Sequence, residues 1–131
     1  RISGYDSENL MYALLEDILS EEKYGSFSVI CHFPTNMVFK DIGILNDAEL
    51  TYMKNPATHL DFLIYSRISK KPILAIEVDG YTYHREKTRQ ERRDRMKDHI
   101  AKAYGLPLLR FKTNGSGEKE KIIKKLNELT G

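Results

Sequence analysis

The sequence contains a single cysteine and no apolar stretch long enough to cross a membrane. The lone cysteine, Cys31, excludes a disulfide framework within the chain and a zinc site built from several thiolates. A membrane-spanning helix needs about 20 consecutive apolar residues, and no segment approaches that length. No signal-peptide pattern opens the chain. We therefore expect a cytoplasmic protein that has no membrane partner.

The composition that remains is that of an ordinary globular domain. The 131 residues are 40% hydrophobic and 31% charged, with a formal net charge of +2, which fits one domain with a modest core. The charge is unevenly distributed, because residues 85–95 hold six basic and three acidic side chains, a local net of +3. The chain begins at Arg1 rather than at methionine. We expect residues 1–131 to be a single module of a longer protein.

In the first half of the chain, hydrophobic periodicity predicts a helix, a strand and a short second helix. SENLMYALLEDILSEEKYG has apolar residues at helical spacing, with Ser7 as a candidate N-cap and Gly25 as the end. FSVICHF alternates as a strand. Asn46 and Glu49 then have the spacing of a capping box before a short helix. Residues 37–59 are otherwise the least interpretable part of the chain.

The second half predicts a hairpin followed by a helix, a strand and a helix. HLDFLIYS and PILAIEVDG alternate as strands, and RISKK between them is short enough for a hairpin. Thr88 and Glu91 predict a capping box for a helix that ends at Gly105. LPLLRF is a strand that a right-handed crossover would place parallel to its predecessor, and EKEKIIKKLNEL is a closing helix. The predicted fold class is α/β, with a small mixed central β-sheet flanked by helices.

Two carboxylates on adjacent predicted strands point most directly to a function. If the hairpin turn centres on Ser69, Asp61 falls opposite Glu77, residue 63 opposite 75 and residue 65 opposite 73, with opposed Cβ atoms about 4.5–5.5 Å apart. Asp79 follows two residues later on the same face. Buried carboxylates this close repel each other unless a proton or a cation lies between them. Asp61 alone would be typical of a partly solvated strand edge and Glu77 alone of a salt-bridged surface position, but the group predicts a divalent-metal site.

The expected metal is Mg²⁺ or Mn²⁺, because both prefer oxygen ligands. Magnesium commonly takes one or two protein carboxylates and leaves its other positions to water and substrate phosphate. Asp61 and Glu77 suit that role, the carbonyl of Val78 offers a third oxygen, and Asp79 can ligate a second cation or orient a water. Such an ion activates water and neutralises charge on a phosphodiester. The sequence therefore predicts a phosphodiester hydrolase.

The basic segment supports a substrate that carries phosphate. Because helix N-termini already carry partial positive charge, Arg89, Arg92 and Arg93 in the first turns of the predicted helix would oppose the macrodipole. The arrangement becomes favourable if the start of the helix faces a polyanion. We expect these three arginines, together with Arg85, to bind the phosphates of a polyanion such as a nucleic acid. The alternative is an ordinary solvated charged helix.

The segments LDFLIYS, AIEVDGYTYH and RRDRMKDHIAKAYGLPLLRF carry a resemblance to a known family. Over about residues 57–112 the chain resembles the PD-(D/E)XK nuclease superfamily. It is most similar to the very-short-patch-repair-like branch and to a domain of uncertain function attached to superfamily-one helicases. The resemblance implies a restriction-endonuclease-like core of order αβββαβα and a Mg²⁺- or Mn²⁺-dependent deoxyribonuclease of the endonuclease kind. It also implies a covalently linked helicase domain.

The resemblance implies roles for the acidic residues. Asp61 would be the metal-binding aspartate of the first core motif, and Glu77 would be the acid of the second. The chain departs from the family pattern at two positions, because Leu60 stands where a proline is usual and Asp79 occupies the place of the second motif's lysine.

Five further residues receive roles from the same resemblance. His84 would activate water or protonate the leaving group, since its unperturbed pKa lies near neutrality. Gln90, Asp94 and Lys97 lie at i, i+4 and i+7, on the side of the helix that would face the site, and Lys97 would replace the missing lysine in space. Glu8 would point at the metal from the first helix, or serve as an N-terminal charge favoured by the helix dipole.

Two functions of other classes compete with the nuclease. A catalytically inactive nuclease fold that only binds nucleic acid would keep the basic helix without needing Asp61, Glu77 and Asp79 together. A sugar-nucleotide transferase is suggested by the acid-x-acid pattern of EVDG after a strand, but that class usually needs a larger chain and an N-terminal nucleotide-binding fold. The sequence therefore favours the nuclease.

Overall fold

The computed structural model describes residues 6–40, 42–79, 84–112 and 116–130, although the side chains of residues 42 and 84–87 lie outside the description. Its main elements are α1 (Asp6–Leu19), β1 (Phe27–Pro34), α2 (Thr35–Val38), α3 (Asp47–Lys54), β2 (His59–Ser66), β3 (Pro72–Asp79), α4 (His84–Ala103), β4 (Leu108–Lys112) and α5 (Glu118–Thr130). Short 3₁₀ helices lie at Glu22–Tyr24 and Ile42–Ile44. Among the described residues, no helix is long and apolar enough to cross a membrane.

The four strands form one mixed sheet in the order β1-β2-β3-β4. β2 pairs antiparallel with both β1 and β3, whereas β4 runs parallel to β3. The connection between the two parallel strands contains α4, because parallel neighbours need a crossover rather than a tight turn. The predicted small mixed sheet flanked by helices is therefore confirmed.

Helices cover both faces of this sheet, and each face has its own apolar core. Phe62 and Ile76 from the central strands pack in a cluster with residues of α1 and α5. Leu63 and Ala75 pack in the opposite cluster, with residues of α3 and α4. The acidic residues predicted as metal ligands lie toward one end of these two strands, beside residues of α1, α3 and α4.

The register of the β2–β3 hairpin agrees with the prediction at the functional end and differs at the turn. Leu63 lies opposite Ala75 as predicted, but Tyr65 lies opposite Pro72 rather than Ile73. A register shift at residues 64 and 65 separates the two parts of the ladder, as a bulge does when it adds one residue to one strand. The prediction for residue 65 is therefore wrong, while the predicted alignment toward residues 61 and 77 is retained.

The turn explains this difference. The N–H of Ser66 donates to the carbonyl of Lys71 at 2.9 Å, so the turn is centred half a residue earlier than a turn on Ser69. Lys70 closes it with a φ of 64°, a left-handed conformation that reverses the chain tightly. The early turn and the bulge shift the register in opposite senses, so their effects cancel.

The boundary of α1 and the inward faces of two helices also differ from expectation. α1 ends at Leu19 rather than at Gly25, and Ser7 lies inside the helix rather than at its N-cap. Leu10, one of the apolar residues at helical spacing in the first segment, is 72% exposed. Leu129, an apolar residue of the closing helix α5, is 39% exposed. The remaining apolar positions of both helices are sufficient to cover the sheet.

The two predicted capping boxes have opposite outcomes. The box at α3 is confirmed, because Asn46 and Glu49 exchange side-chain-to-backbone hydrogen bonds of 2.8 and 3.0 Å. The box at Thr88 is wrong, because α4 is already helical from His84. Arg89 and the arginines after it therefore lie beyond the first turn. Since the macrodipole acts mainly on the first and last turns, the dipole argument for a polyanion at these arginines does not hold.

Candidate functional site

A cleft of about 540 Å³ lies where one end of the sheet meets α1, α3 and α4, a size within the usual range for ligand sites. It is lined by Ser7, Glu8, Tyr52, Asn55, Ala57, Thr58, His59, Asp61, Glu77, Val78, Asp79, Gln90, Arg93, Lys97 and Arg110. Most of the site residues predicted from the sequence are therefore brought to one concave surface.

The paired carboxylates lie in this cleft and are joined through the backbone of the opposite strand. The N–H of Asp61 donates to Oε2 of Glu77 at 2.6 Å. In return, the N–H of Val78 donates to Oδ2 of Asp61 at 2.9 Å. Glu77 is only 2% exposed. These reciprocal bonds fix both carboxylates side by side at the ends of β2 and β3.

Lys97 approaches the pair from α4. Its Nζ donates to Oε1 of Glu77 and to the carbonyl of His59, the latter at 2.8 Å, and Lys97 itself is 8% exposed. Lys97 follows Asp94 by three residues and Gln90 by seven, so the three share one side of α4. The side chain of Lys97 lines the cleft. Because desolvation offsets much of the attraction in a buried ion pair, folding alone does not explain why two charges are buried here.

The pKa values of both acids are raised. Burial raises the pKa of Glu77 to about 7, with the nearby charge of Asp61 adding to the effect and Lys97 opposing it. Burial also raises the pKa of Asp61, although the bond from the N–H of Val78 opposes it. Burial disfavours the charged form of Lys97, but Glu77 raises its pKa overall. Burial therefore disfavours the charged forms of both carboxylates more than Lys97 favours them, so a proton or a cation beside them would be favourable.

Asp79 also lines the cleft, but its contacts lead to a second group of charges. Nη1 of Arg110 lies 3.4 Å from Oδ1 of Asp79 and 3.1 Å from Oδ1 of Asp94. Nη2 of the same guanidinium lies 2.7 Å from Oδ1 of Asp98. Burial and the charge of Asp94 raise the pKa of Asp79, while Arg110 opposes them. One arginine of β4 thus holds three carboxylates of β3 and α4.

The other predicted residues of α4 divide between the cleft and the solvent. Gln90 and Arg93 line the cleft, and Nε2 of Gln90 donates to Oδ1 of Asp94 at 2.8 Å. Arg89 and Arg92 are exposed and do not line it. The side chains of residues 84 and 85, which were predicted to act in catalysis and to bind DNA, lie outside the described residues.

Two histidines that the sequence analysis did not select extend the site toward β1. Nε2 of His32 lies 2.8 Å from Oε1 of Glu8, and the rings of His32 and His59 are 5.0 Å apart. His59 Nδ1 is 3.9 Å from Oδ1 of Asp61 and is buried without a hydrogen-bond partner among the described residues. Burial lowers the pKa of His59, as do Lys97 and His32.

The backbone at His32 is unusual for a strand. Its φ is 53°, a left-handed conformation in which histidine is tolerated better than most residues but which still costs energy outside glycine. In the ladder, His32 lies between the pairs Cys31–Phe62 and Phe33–Leu60 and therefore opposite Asp61. This distortion turns the imidazole toward Glu8 instead of continuing the alternation of the strand.

Sequence signals for the missed residues existed but were weak. Arg110 is the one charged residue of the apolar segment LPLLRF, although only the parallel register of β3 and β4 sets it beside Glu77. His32 occupies an alternating strand, and its meeting with Glu8 depends on the packing of α1. Neither contact follows from the spacing of residues along the chain.

The donor set fits a hard divalent cation with few protein ligands. Among the described residues, no group of three or more histidine, cysteine, aspartate or glutamate side chains is arranged to hold a metal. Two carboxylates are nevertheless what Mg²⁺ commonly takes from a protein, with water and phosphate completing its shell. Among the described residues that line the cleft, the carboxylates are Glu8, Asp61, Glu77 and Asp79, and the cations are Arg93, Lys97 and Arg110.

Comparison with known proteins gives a family without an assigned activity. No curated protein and no solved structure matches the chain. Residues 4–129 match a family described as protein of unknown function (DUF2726), and the match includes α1, all four strands and almost all of α5. Because it covers nearly the whole sequence, the chain belongs to the DUF2726 family.

Proposed function

We propose that this domain is a Mg²⁺- or Mn²⁺-dependent nuclease of the PD-(D/E)XK kind that hydrolyses phosphodiester bonds in DNA as an endonuclease. The observation that carries the proposal is the meeting of Asp61 and Glu77 in a cleft, with Lys97 against Glu77. Both acids have raised pKa values because they are buried. A bound cation would offset the cost of burying these two negative charges.

Asp61 and Glu77 would hold the metal, and the carbonyl of Val78 is a further candidate ligand. When bound, Mg²⁺ or Mn²⁺ would supply Lewis acidity and a water of lowered pKa. Lys97 has two tasks in the chain itself. Its bonds to Glu77 and to the carbonyl of His59 orient the glutamate, and its positive charge favours the extra negative charge that a phosphodiester gains during hydrolysis.

Arg93 and Gln90 would position the substrate from the wall of the cleft formed by α4. Arg93 lies one helical turn before Lys97, and both line the cleft, so a phosphate seated there would meet two cations in succession. The exposed Arg89 and Arg92 extend the same helix and, with Arg85, would bind neighbouring backbone phosphates. Such contacts hold DNA without reading its sequence.

His84 stays in the proposal as a residue for water activation or leaving-group protonation, on the strength of its place after AIEVDG alone. We also propose that the domain acts in the cytoplasm as a module of a longer helicase-like protein.

A nucleic-acid-binding module without activity is the second candidate. It is favoured by the contact of Lys97 with Glu77, because the ammonium already compensates one buried carboxylate in the absence of a metal. The raised pKa of Glu77 argues for the nuclease instead, since this compensation is incomplete. The two candidates make opposite predictions about cleavage and the same prediction about binding.

Nicking of supercoiled plasmid DNA with Mn²⁺ or Mg²⁺ separates these candidates. The parent should convert supercoiled DNA to the open-circular form, and chelation of the metal should stop the reaction. Asp61→Asn and Glu77→Gln should each reduce the rate by at least about a hundredfold, because each removes a charged metal ligand. A gel-based time course measures both rates.

Matched controls are available on the surface of the protein. Asp17→Asn and Glu22→Gln make the same chemical changes at exposed positions outside the cleft, and they should leave the rate unchanged. Cleavage retained in both folded site variants would refute the nuclease. A parent that binds DNA but never nicks it would support the inactive binding module.

A further inference from the structure

Arg110 is the cation most completely surrounded by acids in the described part of the molecule. Its guanidinium contacts Asp79 at 3.4 Å, Asp94 at 3.1 Å and Asp98 at 2.7 Å, and it also donates to the carbonyl of Asp94 at 3.5 Å. Its side chain is only 19% exposed. A planar guanidinium presents its donors in a rigid fork, so these contacts fix where all three carboxylates point.

The position of Arg110 relative to the proposed metal ligands follows from the sheet. Glu77 is paired with Arg110 in the parallel register of β3 and β4, and paired residues project from the same face. Arg110 therefore emerges beside Glu77 and extends to Asp79 and α4. The guanidinium of Arg110 therefore lies on the side of Glu77 that is nearer Asp79. Lys97 contacts the same glutamate from α4.

This arrangement has consequences for how many cations the cleft accepts. A carboxylate paired with an arginine has less negative charge to offer a metal, and a second divalent cation beside Arg110 would meet like-charge repulsion. The contacts of the guanidinium are with Asp79, Asp94 and Asp98 rather than with the carboxylates of the first position, Asp61 and Glu77. Asp61 contacts the N–H of Val78 and the ring of His59 rather than Arg110.

We propose that Arg110 is a positioning residue that keeps Asp79 out of the metal shell and so limits the cleft to one divalent cation, held by Asp61 and Glu77. The sequence suggested Asp79 as a further ligand, whereas the contacts of Arg110 give Asp79 a different partner. The inference rests on the proposed metal site and specifies its composition. Asp94 and Asp98 then serve to anchor the guanidinium between β4 and α4.

Calorimetric titration of the folded protein with Mn²⁺, without DNA, tests this assignment. The parent should bind one equivalent. Asp79→Asn should change the Kd by less than about twofold, whereas Asp61→Asn should weaken binding by more than about tenfold, since it removes a charged ligand. Arg110→Met should release Asp79, so that a second equivalent binds or the Kd falls at least about tenfold. The double variant Arg110→Met with Asp79→Asn should return to the stoichiometry and affinity of the parent.

A purely structural role for Arg110 would not produce a gain that depends on Asp79. If Arg110→Met does not fold, Arg110→Lys serves instead, because a single ammonium keeps the charge but cannot hold three carboxylates as the fork does. Arg110→Lys should show the same gain in Mn²⁺ binding as Arg110→Met, but a smaller one. Circular dichroism verifies the fold of each variant.

The outcomes distinguish this inference from the proposed function. A parent that binds Mn²⁺ and loses affinity in Asp79→Asn as it does in Asp61→Asn would overturn the role of Arg110 alone. The absence of any gain in the folded Arg110 variants would also overturn it. A parent that binds no Mn²⁺ would overturn the metal site itself and, with it, this inference.

Discussion

At the scale of single residues, the buried acids Asp61 and Glu77 carry an electrostatic cost in the metal-free protein. Each accepts a hydrogen bond from a backbone N–H across the hairpin, and Lys97 compensates only part of their charge. Burial keeps both pKa values above their ordinary ones. Such a cost is common where function rather than folding selects the residues.

We predict that Asp61→Asn stabilises the metal-free protein increasingly as the pH rises. The folded parent holds the protons of Asp61 and Glu77 to higher pH than the unfolded chain does. Its stability therefore falls between the unfolded pKa values near 4 and the folded value of about 7 for Glu77. Asparagine removes one ionisation and lowers the repulsion on Glu77. Urea unfolding at pH 4, 6 and 8 with a chelator should show the difference grow.

The exposed Asp17→Asn provides the reference for this measurement. Its stability difference from the parent should show no comparable rise with pH, because Asp17 is exposed and outside the carboxylate pair. An Asp61→Asn protein that is less stable than the parent by the same amount at every pH would contradict the prediction. That result would make Asp61 a structural link between strands.

At the scale of elements, α4 is the part of the fold that would join the proposed metal site to DNA. It packs on the sheet through Ile100 and Ala101, presents Lys97 and Arg93 to the cleft, and carries Arg89 and Arg92 in solvent. The helix begins before these arginines, so its dipole neither opposes nor assists them appreciably. Their case as DNA contacts rests on charge and on nearness to the cleft.

We predict that Arg93→Gln weakens DNA binding about equally for different sequences and lowers the magnitude of the salt slope by about one unit, as loss of one phosphate contact requires. The same change should raise the KM for plasmid more than it lowers kcat, since Arg93 is proposed to bind phosphate rather than to react. Fluorescence anisotropy at several salt concentrations measures the slope.

Lys121→Gln on α5 is the matched control, because it removes one exposed positive charge outside the cleft. Its salt slope should equal that of the parent. If Arg93→Gln behaves like Lys121→Gln while Asp61→Asn still abolishes cleavage, α4 is a solvated surface. The DNA groove would then lie elsewhere, with residues 37–59 as the next segment to test.

At the scale of the whole molecule, the site exists only when distant parts of the chain have met. Its residues come from α1, β1, α3, β2, β3, α4 and β4. The contact between Glu8 and His32, for example, joins α1 to β1. The unfolded chain holds no such cluster of carboxylates. Any ligand of the site therefore binds the folded state selectively.

We predict that Mn²⁺ stabilises the protein against unfolding through this site. At a free concentration of about 100 times Kd, the free energy of unfolding should rise by about 2.7 kcal/mol, as selective binding to the folded state requires. Thermal unfolding with and without Mn²⁺ measures the shift. The increase should be larger at pH 8 than at pH 5, because the metal competes with the protons that the raised pKa values retain.

Asp61→Asn should abolish most of this stabilisation, whereas the exposed Asp17→Asn should preserve it. An equal shift in all three proteins would indicate binding to surface carboxylates. No shift in the parent at millimolar Mn²⁺ would argue against a preformed site in the folded domain.

The sequence by itself determined the order of the main elements other than α2, the mixed sheet and the alignment of Asp61 with Glu77. These features follow from local rules: the period-2 pattern of strands, the length of a hairpin connection and the alternation of faces. The capping box of α3 was predictable because it too depends only on residues that are close together in the sequence. The predicted turn centre was half a residue too late, but this error did not change the alignment of Asp61 with Glu77, because the bulge restored the register.

Tertiary structure alone decided which partners the carboxylates have. Lys97 reaches Glu77, Arg110 takes Asp79, and His32 meets Glu8, although nothing in the spacing of these residues specifies such pairs. Each depends on how a helix is rotated over the sheet or on which strand lies parallel to β3. Those relations are set by the packing of two apolar cores, which is a property of the whole chain and not of any segment.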